Sequence, residues 1–110
     1  MKIHKDLTPE RWFKFSLMEQ LANVGSDVIR TILWKESDKG LSQQSFERVL
    51  ELLDLTIADP KNRKQLKEMV RAREALVDHF VYNNEYNTTD QQWHDYFFEF
   101  NYAAALQRGR

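Results

Sequence analysis

The chain has 110 residues, no cysteine, three glycines and two prolines, and its 16 Lys and Arg against 17 Asp and Glu leave a formal charge of −1. That length supplies one modest core, and the near-neutral charge argues against bulk electrostatic capture by nucleic acid or an anionic membrane. Without cysteine there is no disulfide, thiolate metal site or thiol nucleophile.

Few turn residues favour long helices over strands. No apolar run nears the roughly 18 residues of a membrane span, and the opening MKIHKDLTPE lacks the apolar stretch of a signal peptide, so the expected location is cytoplasmic. Residues 1–7 read as a short leader whose Ile3 and Leu7 can lie against the remainder. Thr8, Pro9 and Glu10 read as a helix start: a hydroxyl cap, a proline whose missing N–H costs nothing, and an acid at the positive helix end.

The first helix is expected over about 9–35. Its segment from Trp12 to Trp34 carries an unbroken helical period, with Phe13, Leu17, Met18, Leu21, Val24, Val28, Ile29, Ile32 and Leu33 covering more than half the circumference. Glu19, Asn23, Ser26, Asp27 and Arg30 crowd into the remaining strip, so this helix must be covered on at least two sides. Gly25, which costs about 1 kcal/mol of helix propensity against alanine, predicts a close approach by a neighbouring backbone.

After a polar break at 36–40, a second helix over about 42–58 turns Phe46, Val49, Leu50, Leu53 and Ile57 inward. Asp59-Pro60 then supplies an acid cap and a first-turn proline, predicting a tight hairpin into a third helix over about 60–81. An asparagine-rich turn follows. Thr88 or Thr89, three residues before Gln91 or Gln92, fits a capping box for a fourth helix over about 89–107, with Trp93, Tyr96, Phe97, Phe100 and Ala104 inward. The expected fold is all-α, a single domain over 1–110, in the form of a four-helix up-down-up-down antiparallel bundle.

One core cannot bury everything apolar. Phe98, Tyr102 and Leu106 recur opposite Trp93 and Phe97, and Leu52 and Leu55 lie away from Phe46 and Leu53. Surface of this kind marks an interaction site, and these five residues are the expected interface of a two-fold homodimer.

Charge is unevenly spread, with six basic residues between Lys61 and Arg73 opposed only by Glu68. Lys61, Lys64, Lys67 and Arg71 fall on one helical face and are candidate anion-binding residues able to meet phosphates. Pairing with Glu51 and Asp54 of the second helix explains the same face as surface ion pairs, and nucleic acid is the less expected partner because no aromatic residue is interleaved to stack bases. Arg73 falls within the inward stripe and needs an acceptor, with Glu47, Glu99 and Asp95 as candidates.

His4, His79 and His94 lack metal-ligand spacing, Asp90 with His94 being the nearest imitation, and no glycine-rich phosphate loop or serine elbow occurs. No metal or cofactor is expected. The segment REALVDH, Arg73 to His79, late in the third helix, resembles the Arg-x(4–6)-His motif of HEPN-domain proteins. That resemblance implies a dimer in which Arg73 and His79 meet at the interface to cleave RNA without a metal. Here Glu74 stands where those proteins usually have a small polar residue. The blocks FSLMEQLANVGSDVIR, FERVLELLDLTIADPKNR and LKEMVRAREALVDHF resemble a group of small uncharacterised prokaryotic helical proteins, a likeness that implies no activity. The expected function is a non-enzymatic, self-associating adaptor, with a HEPN-like RNA-binding protein or ribonuclease as the alternative.

Overall fold

A computed structural model describes residues 7–109, so the leader residues Ile3 and His4 lie outside the described residues. Among the described residues the chain is all-α. Five helices, α1 (Pro9–Trp12), α2 (Leu17–Trp34), α3 (Lys39–Ala58), α4 (Leu66–Phe80) and α5 (Asp90–Arg108), are joined by turns and one 3₁₀ segment, Pro60–Gln65.

Three boundaries differ from the sequence expectation, the smallest being α3, which opens at Lys39 behind an Asp38 cap rather than near Ser42. The expected first helix is two: Thr8 caps the single turn of α1, and Ser16 then opens α2 through a capping box in which Glu19 N–H bonds Ser16 Oγ and Ser16 N–H bonds the Glu19 carboxylate. These reciprocal bonds satisfy donors that a new helix start exposes, so a restart here is stable despite the continuous apolar period. Beyond Asp59, Pro60 opens a 3₁₀ turn rather than the α-helix itself, and α4 starts only at Leu66.

α2 is the spine. It runs antiparallel to α3, with contacts from Gln20 to Asp59, Asp27 to Arg48 and Thr31 to Ser42. It runs antiparallel to α5 as well, from Ser16 with Gln107 at one end to Lys35 with Asp90 at the other. Val24 and Val28 are fully buried, with Phe46, Val49, Leu53, Leu76, Trp93 and Phe97 around them. The close approach expected at Gly25 is present: a Cβ there would stand 2.7 Å from Phe97 Cβ. α4 is more lightly held, burying only Met69 and Leu76 fully, with Phe80 against Phe46 at 5.2 Å between ring centroids.

Two polar residues of α2 are not where their polarity suggests. Asp27 is buried, its carboxylate bonded by Arg30 and faced by Arg48. Gln20 is fully buried in a polar network.

Candidate functional site

Two polar clusters sit at opposite ends of α2. At its N-terminal end, Gln20 Nε2 donates to the Trp12 carbonyl at 3.0 Å and to Asp59 Oδ2 at 2.9 Å. Gln20 Oε1 accepts from Asn62 Nδ2 at 2.8 Å, which also donates to the Thr56 carbonyl at 3.0 Å. Trp12 Nε1 donates to Thr56 Oγ1. Burial alone would raise the pKa of Asp59, but hydrogen bonds from Lys61 and Gln20 outweigh it and hold the carboxyl below its ordinary value. Nothing in this cluster faces solvent except Lys61, which also reaches the Phe13 carbonyl at 2.9 Å.

At the other end, His79 Nε2 lies 2.7 Å from Asp90 Oδ1 and Nδ1 lies 3.0 Å from Thr88 Oγ1. Lys35 Nζ donates to the same carboxylate at 3.2 and 3.3 Å, and Trp93 Nε1 donates to Thr88 Oγ1 at 3.0 Å. Burial pushes the Asp90 pKa up, and the bonds from His79 and Lys35 overcome it, so the carboxyl is held below its ordinary value. The turn between α4 and α5 delivers these groups because Asn84 and Asn87 adopt left-handed φ of 53° and 55° and Asp78 accepts the N–H groups of Glu85 and Tyr86.

This second cluster has two self-consistent proton arrangements. With His79 neutral and its Nε2–H on Asp90, the Thr88 hydroxyl donates to Nδ1. With His79 protonated, Nδ1–H donates to Thr88, whose hydroxyl turns to Asn84 Oδ1 at 3.2 Å. Hydroxyl, imidazole and carboxylate thus align, but Thr88 Oγ1 is already taken up by Trp93 and Asn84, so the alignment closes the turn onto α4 and α5.

The expected site residues fall in different places. His79 has a side chain only 6% exposed, because its partners Thr88 and Asp90 arrive from beyond the turn. Arg73, expected inward, is half-buried and holds Asp54 with both prongs, Nε to Oδ1 at 2.7 Å and Nη2 to Oδ2 at 3.2 Å, rather than Glu47, Glu99 or Asp95. Among the described residues Arg73 and His79 share no partner. Asp90 meets His79, not His94, whose ring instead stacks on Phe98.

Lys61, Lys64, Lys67 and Arg71 are all exposed, but the first two lie in the 3₁₀ segment and the others on α4, and Lys61 is spent on Asp59 and Phe13. Tyr96 donates to Glu68 at 2.9 Å, and burial together with that carboxylate pushes its phenol pKa up. No family model, curated protein or solved structure matches the chain.

On the expected interface, Phe98, Tyr102 and Leu106 are 54%, 61% and 50% exposed. Leu52 is corrected: it is buried, and Leu55 is half-buried against the core. α1 covers that side of α3, pinned by the bond from Trp12 to Thr56. Sequence reasoning also passed over Gln20, Asn62 and Arg48. The available signal was Gln20 itself, a polar residue flanked at helical spacing by Leu17, Leu21 and Val24.

Proposed function

We propose that the protein is a non-enzymatic, self-associating helical module of the cytoplasm, an adaptor whose four long helices act as an up-down-up-down bundle. The observation that carries this reading is the exposed row Phe98, Tyr102 and Leu106 on a helix whose other side is filled by Trp93 and Phe97. Contiguous apolar surface favours burial against a partner. A second copy suits it: α5 carries Asp95 and Glu99 in its first half and Arg108 near its end, so two copies of α5 crossing antiparallel about Tyr102 bring opposite charges together.

Light scattering on the eluting protein tests this. The expected mass is twice the 13.2 kDa of one chain, falling to one chain when Phe98→Glu and Leu106→Glu are combined, with the helical circular dichroism unchanged. A wild-type monomer at micromolar concentration sinks the reading.

A HEPN-like, metal-independent ribonuclease is the second reading, favoured by an imidazole held in place by a carboxylate at 2.7 Å. It requires Arg73 to leave Asp54 and join His79 across a dimer. RNA cleavage in EDTA that is abolished by His79→Ala in a folded protein would support it, and intact RNA with the wild type rejects it.

A further inference from the structure

A groove of about 410 Å³ opens where α1, α2 and α3 meet, apart from the α5 face. Its lining combines apolar Leu7, Phe15 and Leu52 with charged Asp27, Arg30 and Arg48. The Asp27 carboxylate is only 4% exposed, and Arg30 Nη1 donates to its Oδ1 at 2.8 Å, which alone neutralises it. Arg48 is then in excess.

Arg48 Nη1 stands 3.7 Å from that same oxygen, beyond hydrogen-bond reach, and its Nε is buried without a partner. A guanidinium carries a planar fork of donors matched to an oxyacid. Arg73 shows this chain using the full fork, with Nε and Nη2 both on Asp54. In Arg48, whose side chain is 35% exposed, the same edge is unused.

We propose that this groove binds a small organic anion, an oxyacid head on an apolar body. The head takes Nε and Nη2 of Arg48. Turning the guanidinium off its long contact leaves Asp27 paired with Arg30, so the movement strands no charge. The body lies against Phe15, whose ring is set edge-on to Trp12, and against Leu52. The head is a carboxylate or a phosphate monoester, which share this chemistry.

The test is a titration of ¹⁵N-labelled full-length protein at low ionic strength with benzoate, phenyl phosphate, inorganic phosphate and benzyl alcohol, following the arginine Nε–Hε signals. The expected result is a saturable shift of one such signal, assigned to Arg48 by its absence in Arg48→Lys, with benzoate or phenyl phosphate. Which of the two saturates identifies the head. Arg48→Lys keeps the charge but loses the fork, and should weaken binding at least tenfold.

Phe15→Ala, at an exposed ring, should weaken the aromatic anion several-fold and leave any inorganic phosphate binding unchanged. Three results overturn the proposal: benzyl alcohol binding as tightly as benzoate, unchanged binding by folded Arg48→Lys, or no saturation by either aromatic anion below about 10 mM, an affinity under that of even weak specific ligands.

Discussion

The two ends of α2, roughly 22 Å apart between Gln20 and Lys35 at 1.5 Å per residue, solve the same problem in opposite ways. Each must join helices across a gap that apolar side chains do not fill. At the N-terminal end the joint is sealed, with Gln20, Thr56, Asp59 and Asn62 all buried, the Gln20 amide matched at both its nitrogen and its oxygen, and the Asn62 nitrogen donating twice. At the C-terminal end the joint is built on Asp90, a carboxylate that meets His79 and stays partly open to water with Lys35 beside it. The sealed joint keeps its own carboxylate, Asp59, away from water. The open joint leaves Asp90 within reach of the medium.

The largest expected effect comes from opening the sealed end. Asn62→Ala strands Gln20 Oε1 and takes from the Thr56 carbonyl one of its two donors, leaving the Asp59 N–H, and a buried group left without its partner costs about 1 to 3 kcal/mol. Urea unfolding should therefore show a loss of about 2 to 4 kcal/mol, and a loss under 1 kcal/mol would mean that water enters and the joint is not sealed. Asp90→Asn at the open end should cost about 1 to 2 kcal/mol near neutrality, since it weakens charge-assisted bonds in a partly solvated setting.

That second loss depends on pH in a definite direction. A carboxyl with a depressed folded pKa contributes stability that is fully present above its unfolded value, about 3.9, and that disappears as pH falls through the folded value. Thermal melts of wild type and Asp90→Asn should therefore stay apart by a constant interval from about pH 6 to 8 and converge below about pH 4. A gap that widens on acidification would reverse the assignment. The smallest effect belongs to Arg73→Ala, where the pair with the exposed Asp54 is screened by water and its loss should cost under about 1 kcal/mol.

Apolar periodicity was enough to place α3, α5 and the central role of α2, and the cost of a mid-helix glycine was enough to anticipate a close approach at Gly25, though not that Phe97 makes it. Local chemistry also marked the caps at Thr8 and Thr89 and the turn rich in asparagine. What escaped was non-local or hidden by the period itself. The capping box at Ser16 lies inside a run whose apolar spacing continues through it, so the period conceals the break.

The basic face from Lys61 to Arg71 presumes about 100° per residue throughout, whereas a 3₁₀ turn advances about 120°, which moves Lys61 and Lys64 away from Lys67 and Arg71. His79 could not be placed from its own helix because its burial is decided by Thr88 and Asp90 across the turn. For the same reason the carboxylate of Arg73 was missed by two helical turns, from Glu47 to Asp54.

Gly25 bears on which changes in length the chain tolerates. Ser16 with Gln107, Gly25 with Phe97 and Lys35 with Asp90 measure α5 against α2 at three points along nearly its whole length. One residue inserted between Asp90 and Phe97 would rotate everything beyond it by about 100° and advance it by about 1.5 Å. Either the notch at Gly25 or the far clasp would then be lost. The helix pair is in effect a ruler, open to substitution along its outer edge and closed to insertion, and additions of chain belong in the turn between α4 and α5.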